Sequence, residues 1–147
     1  AYAGGAAVVQ AWAQRGYLPV FITGRPDWLR RITVPWLAGQ QFPRGPLHLT
    51  DKNGHALPTS SGVGAYKTAF LNTLKVQGIS LVAAYGNAST DIQAYAAAGV
   101  AKERTFIIGK HGGDSGTTAI ADYPSHLPWV QALAPAKVPT APASHGW

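Results

Sequence analysis

The sequence predicts an α/β fold: a parallel sheet with helices on both faces and a small β-hairpin insertion. Three observations carry this. Segments with helical spacing alternate with short apolar runs, in the order helix, strand, helix, strand, helix, strand. The apolar runs stop abruptly in glycine-containing turns, as strands buried on both faces do. Polar residues gather just past those runs, at Thr23-Gly24-Arg25, at Gly86-Asn87 with Asp91, and at Gly109-Lys110-His111-Gly112-Gly113-Asp114. Ligands of open α/β sheets bind at such carboxyl ends.

Ala6 to Gln14 sets Val8, Val9 and Trp12 at helical spacing, and Gly16 supplies the stop. Tyr17 to Thr23 is a short apolar run that reads as a buried strand, with Gly24-Arg25-Pro26 as the turn leaving it. Pro19 belongs near that strand's start, since proline donates nothing to a ladder. Pro26 suits the first position of a helix running through Trp28, Leu29 and Ile32, which Pro35 ends or kinks. Leu47 to Thr50 and His55 to Leu57 flank Asp51-Lys52-Asn53-Gly54, and Asn-Gly between two extended runs is a hairpin signal. Val63, Tyr66, Phe70, Leu71 and Leu74 mark one face of a helix ending at Gly78.

Ile79 to Tyr85 is the second predicted strand, followed by a helix over Ser89 to Ala98 with Gly99 at its end. Arg104 to Ile108 is the third strand and enters the glycine-rich loop Gly109 to Thr118. A last helix is predicted from Tyr123 to Leu133. The domain therefore covers residues 1–133, and 134–147 form a flexible tail rich in Pro and Ala.

A chain of 147 residues suits one domain or a large piece of one. Hydrophobic residues make up 46% and charged residues 12%, which favours a buried sheet over disorder. No stretch reaches the roughly 20 uninterrupted apolar residues of a membrane-spanning helix. Nothing has the form of a signal peptide. The chain contains no Met, even at position 1, and begins inside an apparent helix, as a segment of something longer would. Without Cys there are no disulfides, thiolate metal sites or cysteine nucleophile. The net charge of +6 attracts phosphates or anionic headgroups. Its basic residues are scattered, with only Arg30-Arg31 adjacent, so no nucleic-acid partner is expected. The expected setting is soluble or peripheral, in a bacterial cytoplasm or periplasm.

Thr23 ends an apolar run before a glycine, where a hydroxyl and turn N–H groups can hold a phosphate oxygen. The same triplet also suits an ordinary turn in which Thr23 caps the next helix. Lys67 falls early in its helix and can neutralise a phosphoryl group as a point charge, although a solvated helix lysine has the same spacing. Lys75 is its rival, more than ~10 Å further along the axis. Gly86-Asn87-Ala88-Ser89-Thr90-Asp91 delivers an amide oxygen and, a turn later, a carboxylate: hard ligands that suit Mg²⁺. A capped helix accounts for each residue singly. The histidines at 48, 55, 111, 126 and 145 lack zinc-ligand spacing, and only His111 sits in a strand-end loop, where it could contact substrate. A nucleotide P-loop, a Gly-x-Ser-x-Gly elbow and a dinucleotide-binding glycine fingerprint are all absent.

Three segments, in this order, resemble the haloacid-dehalogenase phosphohydrolase superfamily, whose domains have a Rossmann-like sheet. Phe21-Ile22-Thr23-Gly24-Arg25-Pro26 looks like its second motif. Lys67, within Ala65-Tyr66-Lys67-Thr68-Ala69-Phe70-Leu71, looks like its third. Gly86-Asn87-Ala88-Ser89-Thr90-Asp91 looks like its acidic fourth, with Asn where many members have Asp. Pro43-Arg44-Gly45-Pro46-Leu47, with Ala83-Ala84-Tyr85-Gly86-Asn87 and Asp91, is similar to the lipin/Smp (LNS2-like) branch. The same domain type ends membrane-associated phosphatidylinositol-transfer proteins. The resemblance spans about Ala6 to Leu127.

The resemblance implies a Mg²⁺-dependent phosphatase acting on a phosphate monoester, phosphatidate above all. Thr23 and Lys67 would bind the transferring phosphoryl group, Gly24, Arg25 and His111 the substrate, and Asn87 and Asp91 the metal. The nucleophile of that family is the first Asp of an Asp-x-Asp pair on the first strand. None of the six acidic residues here, Asp27, Asp51, Asp91, Glu103, Asp114 and Asp122, forms such a pair. The first strand is therefore expected upstream of Ala1, this chain alone should be inactive, and that absent fragment is an expected partner. A second reading keeps the phosphate pocket without the chemistry: a non-catalytic module sensing phosphatidate or another anionic lipid through peripheral membrane contact.

Overall fold

The computed structural model describes residues 2–50 and 60–138. The second arm of the predicted hairpin, His55 to Leu57 with its Asn53-Gly54 turn, lies outside the described residues, as do residues 139–147 of the predicted tail. The described elements, in chain order, are α1 (Gly5–Gln14), β1 (Phe21–Pro26), α2 (Arg30–Gly39), β2 (Leu47–Thr50), α3 (Ser60–Val76), β3 (Ala84–Gly86), α4 (Ser89–Ala97), β4 (Thr105–Ile108), β5 (Thr118–Ile120) and α5 (Tyr123–Gln131). They divide into two units, residues 1–49 with 122–147, and residues 50–121.

In the first unit α1 and α5 bury Val8, Ala11, Trp12 and Val130, and the Trp12 ring meets Tyr17 edge-on at 4.9 Å between centroids. Arg15 reaches back to the Gln131 carbonyl at the end of α5. The Ala136 N–H donates to the Arg15 carbonyl at 2.8 Å, so the first residues of the predicted tail are held by backbone bonding. α5 is capped by Asp122, which accepts from the Ser125 N–H at 2.7 Å; this bond holds its carboxyl below the usual range.

β1 pairs with β2 in a two-stranded sheet. Three expectations are corrected here. The strand runs over Phe21–Pro26, not Tyr17–Thr23, so Thr23-Gly24-Arg25 lies within it. A 3-10 turn, Asp27–Leu29, separates it from α2. Pro35 does not end α2, which continues to Gly39. The bond lost to the proline ring is the one to the Arg31 carbonyl, and both residues are exposed, so water can replace it. The approach of the Pro43–Leu47 segment to β1 requires a glycine: a Cβ at Gly45 would lie 2.1 Å from the Pro19 carbonyl oxygen.

In the second unit β3, β4 and β5 form a parallel sheet in that order, with Tyr85 opposite Phe106 and Ile107 opposite Ala119. β4 is central and all four of its residues are buried, as a middle parallel strand requires. α3 and α4 supply Leu71, Leu74, Ile92, Ala94 and Tyr95 to its core. The predicted strand over Ile79 to Tyr85 is shorter than expected, with only Ala84–Gly86 laddered. β5 was not anticipated. It follows β4 without an α-helical crossover, through a loop in which Gly109, Gly113 and Gly116 adopt positive φ.

Two outcomes are expected. Gly45→Ala should lower stability by about 3 kcal/mol or prevent folding, measured by urea denaturation. His126 is buried and stacks on Trp129 at 5.1 Å, and desolvation lowers its pKa below 6.5. The unfolded chain therefore takes up this proton first. Stability from this site is complete above 6.5 and falls as the pH drops below it. His126→Phe should flatten the urea midpoint between about pH 7.5 and 5.5; an unchanged slope would rule the histidine out as the cause.

Candidate functional site

A parallel sheet gathers its outgoing loops at one edge, because every strand points its carboxyl end the same way. In the second unit these are the turn Gly86-Asn87 after β3 and the loop from Gly109 after β4, with Gly86 in register with Ile107. The helix α4 begins at Ser89, directly after the first turn. Its third residue is Asp91, one of the few buried charged side chains, 5% exposed.

Asp91 is held from three sides. One carboxylate oxygen accepts from the Asn87 N–H at 3.0 Å and the Ala88 N–H at 3.1 Å. These are N–H groups at the start of α4, where the dipole also favours a negative charge. The position Asp91 takes is that of the acidic member of a capping box, but Ala88 has no side-chain acceptor to reciprocate. The other oxygen takes the Lys67 ammonium from α3. Both side chains are largely buried, at 12% and 7% exposure.

Gly86 completes the fit. A Cβ there would stand 2.6 Å from the Asp91 Cβ and 2.7 Å from its Oδ2, so the strand can pass over the carboxylate only as glycine. Tyr95, one turn further along α4, donates its hydroxyl to the Tyr85 carbonyl at 2.7 Å and fixes the last turn of chain before Gly86. That role is not reached from the sequence, which places Tyr95 within the helix over Ser89 to Ala98. An aromatic hydroxyl four residues after an acidic N3 position was the available signal.

Asn87, the other predicted metal ligand, is exposed, and its N–H serves Asp91. A carboxylate has about four lone-pair positions, and three of those on Asp91 are engaged by Lys67, Asn87 and Ala88. Among the described residues no three His, Asp or Glu side chains converge. About one lone-pair position of Asp91 is left for a cation.

Lys75, the rival lysine, lies elsewhere and has a different use. Its ammonium donates to the Ala98 carbonyl at 2.8 Å, at the negative end of α4. In the loop after β4, His111 Nδ1 lies 2.9 Å from Asp114 Oδ2, which ties the loop to itself. Lys110, beside it, is exposed.

In the first unit the Thr23 hydroxyl accepts from the Arg25 N–H at 3.2 Å, a local turn of the Ser/Thr type. Gly24 lies between them, and the exposed Arg25 sets its guanidinium carbon 5.6 Å from the centre of the Trp36 ring. Thr23, Gly24 and Arg25 thus share one strand of one unit, while Lys67, Asn87, Asp91 and His111 belong to the other. Of the predicted site, Lys67, Asn87 and Asp91 are brought into mutual bonding.

The buried pair generates a stability prediction. Removing one partner of such a pair leaves the other charge buried alone. Asp91→Ala should cost about 3–5 kcal/mol, because it also orphans two N–H groups. Lys67→Met should cost less, since Asp91 keeps those N–H donors. Equal losses in urea denaturation would contradict this division of labour.

Residues 1–109 match the family model described as the LNS2 domain of PITM 1-3. The Drosophila melanogaster protein retinal degeneration B is 39% identical over 135 residues, covering 89% of this chain and 10% of that protein. Human membrane-associated phosphatidylinositol transfer protein 1 is 38% identical over 110 residues, covering 74% of this chain and 8% of that protein. The mouse membrane-associated phosphatidylinositol transfer protein 3 is 35% identical over 104 residues, 70% of this chain and 10% of that protein. The chain spans about a tenth of the length of these curated relatives. They are animal proteins, described by name as membrane-associated in the mammalian cases, which overturns the expectation of a bacterial compartment. Composition and charge carry no mark of the kind of organism, so that expectation had no physical footing.

Proposed function

The chain belongs to the LNS2 domain family of PITM 1-3, and from that premise we propose that it binds the phosphate headgroup of an anionic lipid without hydrolysing it. A phosphate monoester such as that of phosphatidate fits the chemistry best. The observation that carries this reading is the Lys67–Asp91 pair. It holds an ammonium at the carboxyl edge of β3, where its remaining donors can meet a phosphate oxygen. The same pair engages the carboxylate that catalysis would need for a metal.

The rest of the edge supports an anion. Lys110 adds a cation from the neighbouring loop, and the exposed Asn87 and Ser89 offer amide and hydroxyl donors. A small dianion gains more from compact point charges of this kind than a diffuse headgroup does.

The experiment is calorimetric titration of the full chain with dioctanoyl phosphatidate, using dioctanoyl phosphatidylcholine as the comparison. Binding of phosphatidate alone is expected. Asn87→Asp, an exposed change that preserves the backbone, should weaken it by about tenfold or more through like-charge repulsion. Equal affinity for both lipids, or no effect of Asn87→Asp, would sink the reading. Mg²⁺-dependent release of phosphate from phosphatidate by a longer form that carries an upstream Asp-x-Asp strand would replace it with the phosphatase.

A further inference from the structure

The 3-10 turn Asp27–Leu29 runs into α2 almost without a break, so Trp28, Ile32 and Trp36 stand four residues apart along one helical ridge. The adjoining side of α2, about 100° round the axis, buries Thr33 and Leu37. The ridge itself faces outward: Trp28 is 70% exposed, Ile32 64% and Trp36 37%, and Pro35 between them is exposed as well. Single exposed apolar residues are ordinary, whereas two tryptophans and an isoleucine in one row are not.

The charges around the row decide what it meets. Arg25 lies over the Trp36 ring, and Arg31 is exposed on the flank of Ile32. The acid at the start of the row, Asp27, is paired with Arg30 at 3.1 Å. The ridge is therefore apolar along its crest and positive at its margins. An anionic bilayer surface has the complementary order, with acyl chains below and phosphates above. Indole rings settle at that boundary, and arginine stems lie along apolar surface while their heads reach phosphate. Among the described residues no helix is long and apolar enough to cross a membrane, so contact of this kind is peripheral.

We propose that Trp28, Ile32 and Trp36 form a shallow membrane-insertion ridge, with Arg25 and Arg31 engaging the phosphates of anionic lipids around it. The proposal rests on the lipid-headgroup reading above for its choice of partner and adds a second, independent surface to it. A protein partner would find three side chains on one short helix, a small area for a stable interface.

The chain has no cysteine, so Ile32→Cys gives a single labelling position for an environment-sensitive fluorophore. Mixed with vesicles of phosphatidylcholine containing about 20% phosphatidate, the labelled full chain should shift to the blue, with a weaker shift on phosphatidylcholine alone. In co-sedimentation, Trp28→Glu/Ile32→Glu should lower binding to the same vesicles by at least about tenfold. Its titration with soluble dioctanoyl phosphatidate should match that of the unaltered chain. Vesicle binding that survives the double substitution overturns the ridge while leaving the headgroup reading in place. Loss of dioctanoyl phosphatidate binding by the unaltered chain, with vesicle binding and its sensitivity to Trp28→Glu/Ile32→Glu intact, removes the headgroup reading and upholds the ridge. A blue shift that depends on protein concentration without vesicles assigns the ridge to self-association and overturns the proposal.

Discussion

The second unit depends on one carboxylate. Asp91 ties the turn after β3 to the start of α4 through two backbone N–H groups, and ties both to α3 through the Lys67 ammonium. A turn and the helix that follows it are thereby fixed at one sheet edge to a helix whose lysine stands 24 residues upstream of Asp91. The arrangement also explains Gly86, because only a residue without a side chain leaves room for the carboxylate beneath the strand end. A buried charge of this kind is tolerated because every group around it is a donor: an ammonium, two amides and a helix N-terminus.

That economy limits the chemistry. Phosphoryl transfer through a metal needs carboxylate oxygens turned toward the cation, and here they are turned toward protein donors. Binding makes a smaller demand. An anion requires positive charge held in place, and a lysine fixed by a buried carboxylate is a cation whose position has been settled before the ligand arrives. The spacing of these residues is set by the fold as much as by any reaction.

Much of this was legible in the sequence, and the reason is local. Helix ends were marked by glycines that the structure finds at positive φ, at Gly16, Gly78 and Gly99, and the helix limits that were expected hold within a residue or two except in α2, which starts four residues after Pro26 and runs past Pro35. The Gly86 to Asp91 segment was legible because a strand end, a turn and a helix N-terminus follow one another within six residues. The strands were less so. A ladder is a property of two segments, and apolar composition over Ile79 to Tyr85 cannot say that only Ala84–Gly86 finds a partner. β5 is three residues long and is reached from β4 without an α-helix, so neither periodicity nor crossover length announced it. The direction of the Lys67 ammonium was equally hidden. Spacing brought it to the right edge, and the choice of Asp91 as its partner is tertiary.

The helix after β1 shows the deeper limit of pattern reading. Apolar residues four apart define a common face, but the pattern is the same whether that face meets a core or a solvent boundary. The sequence places Trp28 and Ile32 on one helix without saying which way they face. The structure turns them outward because α2 already has another face to bury, that of Thr33 and Leu37. A helix with apolar residues on two adjoining sides has a surplus, and the surplus here is rich in indole and bordered by arginine. Periodicity cannot rank the two faces; the volume available beneath the helix does, and the face left over is free to meet something other than the protein's own interior.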